Sequence, residues 1–135
     1  MDIKKLDFYI NGDDRGQLVA LEENKNIPFT IRRVYYMYDT GTDVVRGKHA
    51  HKSLQQVLIC VNGSCTIVLD DGHEKQEITL NNPSEGLYLS HAIWREMKDF
   101  TEGTVLMVLA DQLYDESDYI RNYDDFLRYV GDSRL

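Results

Sequence analysis

Long apolar runs are absent from this sequence. No stretch approaches the ~20 consecutive apolar residues that a membrane-spanning helix needs. The opening Met1-Asp2-Ile3-Lys4-Lys5 has no apolar core followed by a small-residue cleavage site, so no secretory signal is read there and a cytoplasmic location is expected. Proline is scarce, at 2 residues in 135, and there is no low-complexity linker, internal repeat or domain boundary. One domain over residues 1–135 is expected, long enough to bury a sizeable core. Positive charge is in deficit: 15 Lys+Arg against 23 Asp+Glu give a net charge of −8 and a pI near 4.9. That balance argues against non-specific binding to nucleic acid or anionic membranes. A small anionic ligand stays open to such a chain if its few arginines gather in a pocket. Cysteine is limited to Cys60 and Cys65. Across an Asn62-Gly63 hairpin turn they would lie opposite one another, and a cross-strand disulfide is sterically conceivable. In a cytoplasmic chain two free buried thiols are the expectation.

What is present is a series of short strands. Leu6–Ile10 is followed by the turn Asn11–Gly16, a strand over Gln17–Glu22, and a loop before Pro28. Ile31–Tyr38 is rich in β-formers and places Arg33, Tyr35 and Met37 on one face, with Arg32, Tyr36 and Tyr38 on the other; either face could point inward. Val57–Val61 and Cys65–Leu69 read as a hairpin closed by Asn62-Gly63. Asp70-Asp71-Gly72 turns into Gln76–Leu80, and Leu87–Leu89, Trp94–Met97 and Val105–Leu109 complete the series. Short strands separated by glycine-bearing turns predict an all-β jelly roll. The tail differs: Asp115-Glu116-Ser117-Asp118 offers N-cap and first-turn acids. Tyr119, Ile120, Tyr123, Phe126, Leu127 and Val130 then recur at helical spacing, predicting one C-terminal α-helix packed on the barrel.

The chemistry concentrates in Arg46-Gly47-Lys48-His49-Ala50-His51-Lys52, which holds two of the four histidines. Residues two apart on a strand share a face, so His49 and His51 project together. Such a pair can bind a metal, can be a structural pair satisfied by hydrogen bonds, or can move protons. Cupin-type jelly rolls often bind metal with a His-x-His pair, a following Glu and a distant His. Here Gln55 and Gln56 stand where the Glu is expected and Arg95 stands where the distant His is expected. Neutral amides and a cation are poor neighbours for a divalent ion. His91 lies nearby but four residues out of register, and His73 reads as a solvated turn residue. Imidazole titrates near neutral pH and can take a proton from one atom and return it at another. His49, His51, Tyr35 and Arg95 would supply a base, a shuttle for oxygen protons and donors for an enediolate, so metal-free acid–base chemistry is the favoured reading.

Several segments resemble the sugar 3,4-ketoisomerase family: Asp14–Phe29, Arg33-Val34-Tyr35-Tyr36, Arg46–Lys52, Gln56-Val57-Leu58, Asn62-Gly63-Ser64 and Trp94-Arg95-Glu96-Met97. The resemblance runs in order from about residue 6 to Tyr129, and Arg-Gly-x-His-Ala-His-Lys is its most specific part. It implies a cupin-fold enzyme, without metal or other cofactor, that moves the keto group of dTDP-4-keto-6-deoxy-D-glucose from C4 to C3. It implies homodimers with N-terminal strand exchange. It also implies a product passed to a PLP-dependent aminotransferase and then an acyltransferase, giving 3-amino-3,6-dideoxy sugars for surface glycans. By position, His49 would be the main base, His51 its partner and Tyr35 the pocket phenol. Arg15, Arg33, Arg46, Gln56 and Arg95 would hold sugar and diphosphate. The family divides by product: galacto-type members carry Arg at the position of Arg15 and His at that of Arg95, whereas gluco-type members carry Tyr and Arg. This chain mixes the two markers; Arg15 favours galacto and Arg95 keeps gluco open. A 3,5-epimerase-like cupin, a metal-dependent dioxygenase or isomerase, and a non-catalytic sugar-binding cupin are the rival readings.

Overall fold

The computed structural model describes residues 1–132, so the last three positions of the expected domain lie outside the described residues. β1 (Ile3–Asp7) precedes a small hairpin of β2 (Asn11–Asp13) and β3 (Gly16–Leu18). Then come β4 (Arg33–Met37), β5 (Arg46–His51), β6 (Gln56–Asn62), β7 (Cys65–Asp70), β8 (Lys75–Leu80), β9 (Glu85–Leu89), β10 (Trp94–Lys98) and β11 (Val105–Ala110). A 3-10 turn, Glu116–Asp118, leads into the two-residue β12 (Tyr119–Ile120) and α1 (Tyr123–Asp132). Two five-stranded antiparallel sheets result, ordered β1-β9-β6-β11-β4 and β12-β5-β10-β7-β8. They pack face to face as the expected jelly roll.

The core between the sheets is apolar, with Leu58, Ile67, Leu69, Leu87, Leu106 and Val108 almost fully buried. Each such side chain contributes about 1.5–3 kcal/mol through burial. The outer face of the first sheet is closed by its own chain: Ile27 and Phe29, from the segment between β3 and β4, cover Val57, Ile59 and Leu109. Of the anticipated strand Gln17–Glu22 only Gln17 and Leu18 pair, within β3, because the residues after them leave the ladder to make this cover. On β4, Arg33, Tyr35 and Met37 turn inward and Val34 and Tyr36 outward, which settles the face the alternation leaves open.

Two expectations are corrected. Asn62-Gly63 makes a turn, with Gly63 at φ +78°, but it does not close a hairpin. β6 pairs with β9 and β11, and β7 with β8 and β10, so the turn carries the chain from one sheet to the other. Hydroxyls of Thr101 and Thr104 approach the Ser64 amide at 3.0 and 3.3 Å where a ladder partner would otherwise sit. Cys60 and Cys65 are buried free thiols in the shared core. The second correction concerns the tail. Its helix begins at Tyr123, where Asn122 Oδ1 accepts the Asp125 amide at 3.0 Å, and Tyr119 and Ile120 instead pair with β5. A helix of 10 residues is marginal alone; burial of Phe126 and Val130 against Ala50, Trp94 and Ile120 holds it in place.

Candidate active site

The site begins with a defect in the β5–β10 ladder. Arg95 pairs with His49 and Glu96 with Gly47, which leaves Lys48 as an extra residue. This β-bulge puts Gly47 at φ +84° and Lys48 at φ +51°, both left-handed. Its consequence is local: the Gly47 carbonyl lies 2.9 Å from His49 Nδ1. A carbonyl only accepts, so Nδ1 carries the proton and Nε2 keeps its lone pair. Burial, then the positive charge of Arg95, lowers the His49 pKa to about 4, and the ring is an unprotonated base at neutral pH.

His51 shares this face, as its spacing predicts; the two rings stand edge to face with centroids 4.9 Å apart. Its anchor was not legible in the sequence. His51 Nδ1 lies 2.9 Å from Asp118 Oδ2, a residue 67 positions away. Asp118 Oδ1 accepts from the Ser53 amide and hydroxyl, both at 2.8 Å. Burial pushes the Asp118 carboxyl up, but the bonds from Ser53 and His51 outweigh it and keep the group below its ordinary value. His51 too is shifted down, by burial and by Arg95, so the pair is a carboxylate with a neutral imidazole.

Behind the histidines, Arg95 is buried to 1% exposure. Its guanidinium donates to the Ile93 carbonyl at 3.1 and 3.3 Å and to Gln56 Oε1, and has no carboxylate partner among the described residues. Burial lowers its pKa to about 10, which leaves it charged at neutral pH. Gln56 Nε2 in turn donates to the Tyr35 hydroxyl oxygen at 2.9 Å. The series Arg95→Gln56→Tyr35 is polarised in one direction and leaves the Tyr35 O–H free to donate onward. Burial raises the Tyr35 pKa, and the nearby Arg95 charge opposes part of that rise.

Tyr35 and His49 open onto a cavity of about 370 Å3. Arg33, Arg46 and Arg121 line it, with Met37 and Met97 as an apolar bed and Tyr114 and Tyr119 on the wall. The Arg33 guanidinium lies 5.2 Å from the Tyr35 ring centroid and 5.6 Å from that of Tyr114. Arg121 is engaged by Glu116 at 2.7 and 2.8 Å and covers Tyr119 at 4.2 Å. Arg33 and Arg46 make no ion pair among the described residues, so two cations face the cavity uncompensated, an arrangement suited to an anionic ligand.

Of the residues singled out in the sequence, His49, Tyr35, Arg33 and Arg46 therefore meet at the cavity. His51, Gln56 and Arg95 stand in a layer behind its wall. Arg15 is not brought there within one chain: it sits on the β2–β3 turn, 87% exposed and paired with Asp13. Gln55 points elsewhere, its amide bonded to Asp111 at 3.0 Å and its carbonyl to Tyr88 at 2.6 Å. Sequence reasoning missed Asp118, Tyr114, Tyr119 and Arg121. Asp118 read as a cap or first-turn acid and Tyr119 as part of a helical spacing gave no signal of a contact across the fold.

The donor set does not suit a divalent cation. Both Nδ1 atoms are committed to protein acceptors, and the buried guanidinium beside the rings would repel a second positive charge. Among the described residues no three His, Cys, Asp or Glu side chains are grouped as metal ligands.

Comparison with known proteins places the chain in a family. The family model FdtA, described as WxcM-like, C-terminal, matches residues 1–131. The TDP-4-oxo-6-deoxy-alpha-D-glucose-3,4-oxoisomerase of Aneurinibacillus thermoaerophilus is 56% identical over 135 residues, which is 100% of this chain and 97% of that protein. A variant of the 3,4-ketoisomerase QdtA from Thermoanaerobacterium thermosaccharolyticum, solved in complex with TDP-4-keto-6-deoxyglucose, superposes with a TM-score of 0.96 at 47% identity, covering 99% of this chain and 97% of that one. The TDP-quinovose 3,4-ketoisomerase WlaRB of Campylobacter jejuni gives 0.90 at 53% identity, over 94% and 98% of the two chains. With near-complete coverage in both directions, the chain belongs to the FdtA (WxcM-like) family of sugar 3,4-ketoisomerases.

Proposed function

We propose that this enzyme converts dTDP-4-keto-6-deoxy-D-glucose into the 3-keto isomer by metal-free proton transfer through an enediolate. The observation that carries the reading is the lock on His49: Nδ1–H is held by the Gly47 carbonyl, and the bare Nε2 belongs to a ring that lines a cavity with two uncompensated guanidinium groups. The C3 proton is acidic because the C4 carbonyl is adjacent. His49 removes it, charge moves onto O4, and the Tyr35 hydroxyl, backed by Gln56 and Arg95, donates to that oxygen. His49 then returns its proton to C4 while the C3 hydroxyl gives up its own, which restores the Tyr35 phenol. Arg33 and Arg46 suit the diphosphate. The product is the ketone that a PLP-dependent aminotransferase needs to install nitrogen at C3, on the way to a 3-amino-3,6-dideoxy sugar.

For the configuration at C4, Arg15 supports the galacto product. A second reading, gluco, is supported by Arg95 and by the likeness to a relative named for quinovose, the 6-deoxy sugar of gluco configuration. A homodimer with N-terminal exchange is part of the proposal. Among the described residues the β2–β3 hairpin pairs only with itself, and Tyr9, Ile10 and Leu18 around it are exposed. Exchange is the route by which Arg15 would reach a cavity. Cytoplasmic location is proposed with it, where nucleotide sugars are available.

The test is incubation with the substrate in D2O followed by NMR. Expected are loss of the C3 proton, deuterium at C4 and a carbonyl at C3, with the C4 coupling constants giving the product configuration. Label confined to C5 would replace this reading with epimerisation. Light scattering at the mass of one chain would remove the dimer.

A further inference from the structure

We infer that Asp118 is a positioning residue for the reaction: its carboxylate fixes His51 as the tautomer protonated on Nδ1, so that His51 presents a bare Nε2 as a second proton acceptor beside His49. The chemical purpose rests on the ketoisomerase reading; the geometry does not.

Three observations support it. First, the carboxylate cannot swing away. Oδ1 is held by the Ser53 amide and hydroxyl, and the Asp118 carbonyl accepts the Lys52 amide at 2.9 Å. The next residue, Tyr119, is in register with His51 in the β12–β5 ladder. Second, an ionised carboxylate has no proton to give, so the 2.9 Å contact has one polarity: His51 Nδ1–H donates to Oδ2. Third, His51 Nε2 is buried and has no hydrogen-bond partner among the described residues. An acceptor left unpaired in a core destabilises the fold, and such atoms are kept where function needs them. The rings beside His51 are those of His49, at 4.9 Å, and Tyr119, at 4.4 Å.

The reaction explains the need for a second acceptor. Two protons move, one from C3 to C4 and one from the C3 oxygen to the C4 oxygen, and His49 can hold one at a time. A second unprotonated nitrogen accepts the C3-hydroxyl proton and becomes an imidazolium whose charge Asp118 offsets. It passes that proton to the Tyr35 oxygen, which has given its own to O4, so phenol and imidazole are both restored and no oxidant or reductant is consumed.

The decisive variant is Asp118→Asn. The Ser53 amide still requires an acceptor, so the new carbonyl oxygen takes the place of Oδ1 and the new NH2 group faces His51 Nδ1. A donor there forces the His51 proton onto Nε2 and removes the bare acceptor while sparing the Ser53 bonds. Histidine-15N NMR at pH 7, with His51 assigned through His51→Asn, should show Nδ1 protonated and Nε2 bare in the wild type and the reverse in Asp118→Asn. The kcat should fall by about 10^2- to 10^4-fold, with KM within about threefold, and Asp118→Glu should recover part of the rate. An Asp118→Asn enzyme with wild-type kcat, or a wild-type spectrum with Nε2 protonated, would overturn the inference. If Asp118→Asn does not fold, the wild-type spectrum and the Asp118→Glu rate still decide. Wild-type protein with no turnover on the dTDP-sugar would defeat the ketoisomerase reading instead, and the spectrum would still settle the tautomer.

Discussion

The two ends of β6 are built to opposite standards. At the Asn62 end the side-chain amide donates to the Gly103 carbonyl at 2.7 Å. There the Thr104 hydroxyl meets Thr101 and Ser64, at 2.7 Å from the Thr101 carbonyl and 3.1 Å from that of Ser64. At the Gln56 end, six residues away, Arg95 is a buried cation without a carboxylate partner among the described residues. Among the described residues, buried side-chain atoms without a partner are Arg33 Nε, Thr40 Oγ1 and His51 Nε2, and the first and last belong to the cavity and the layer behind it. Thr40 apart, the fold satisfies its buried side-chain polar groups away from the cavity. It leaves them unmatched where a ligand and moving protons would complete them.

The strongest way to break this contrast is to remove the base. His49→Asn should reduce kcat by at least about 10^3-fold, with dTDP affinity by calorimetry within a fewfold of wild type. Retained turnover would remove His49 from the role of base. Next in size is Gln56→Glu. A carboxylate there pairs with Arg95 and improves the local charge balance, yet has no N–H to donate to Tyr35. The expected result is an enzyme at least as thermostable as wild type whose kcat is about 10- to 100-fold lower. A variant losing stability and keeping its rate would show that the Arg95→Gln56→Tyr35 series serves the fold alone.

The depressed His49 pKa gives a smaller, pH-dependent effect. Because its value drops from the ordinary 6.5 to about 4, the unfolded chain binds more protons between those limits. Stability is therefore complete above pH 6.5 and declines as pH falls toward 4, by on the order of 3 kcal/mol from this group. Denaturant titrations should show a shallower decline in His49→Asn over the same window. The acid limb of kcat/KM should lie well below pH 6.5; a limb at 6.5 would mean that burial and Arg95 do not govern the ring.

What was legible follows from range. The shared face of His49 and His51 needs only the two-residue period of a strand, and the β7–β8 hairpin needs only its local turn. The β5 bulge was not legible: Gly47 supplies a permitted left-handed residue, but nothing in the sequence marks Lys48 as its companion. A methyl at Gly47 would lie 3.1 Å from the Arg95 carbonyl, a cross-strand fact that sequence spacing cannot carry. Asp118 was hidden for the same reason. Asn62-Gly63 misled in the opposite way, because a strong turn signal fixes where the chain reverses but not which strands pair afterwards.

The smallest effect tests the satisfied end. Thr104→Val conserves shape and deletes one buried hydroxyl. The Ser64 amide keeps the Thr101 hydroxyl at 3.0 Å and the Ser64 carbonyl keeps the Thr101 amide at 3.0 Å, so neither is orphaned. The loss should be about 1 kcal/mol of stability. Six residues of strand separate this point from Gln56, roughly 20 Å, so kcat and KM should stay within about twofold. A change in kcat with unchanged stability would mean that the two ends are mechanically linked through β6, and the division between a satisfied end and a working end would fail.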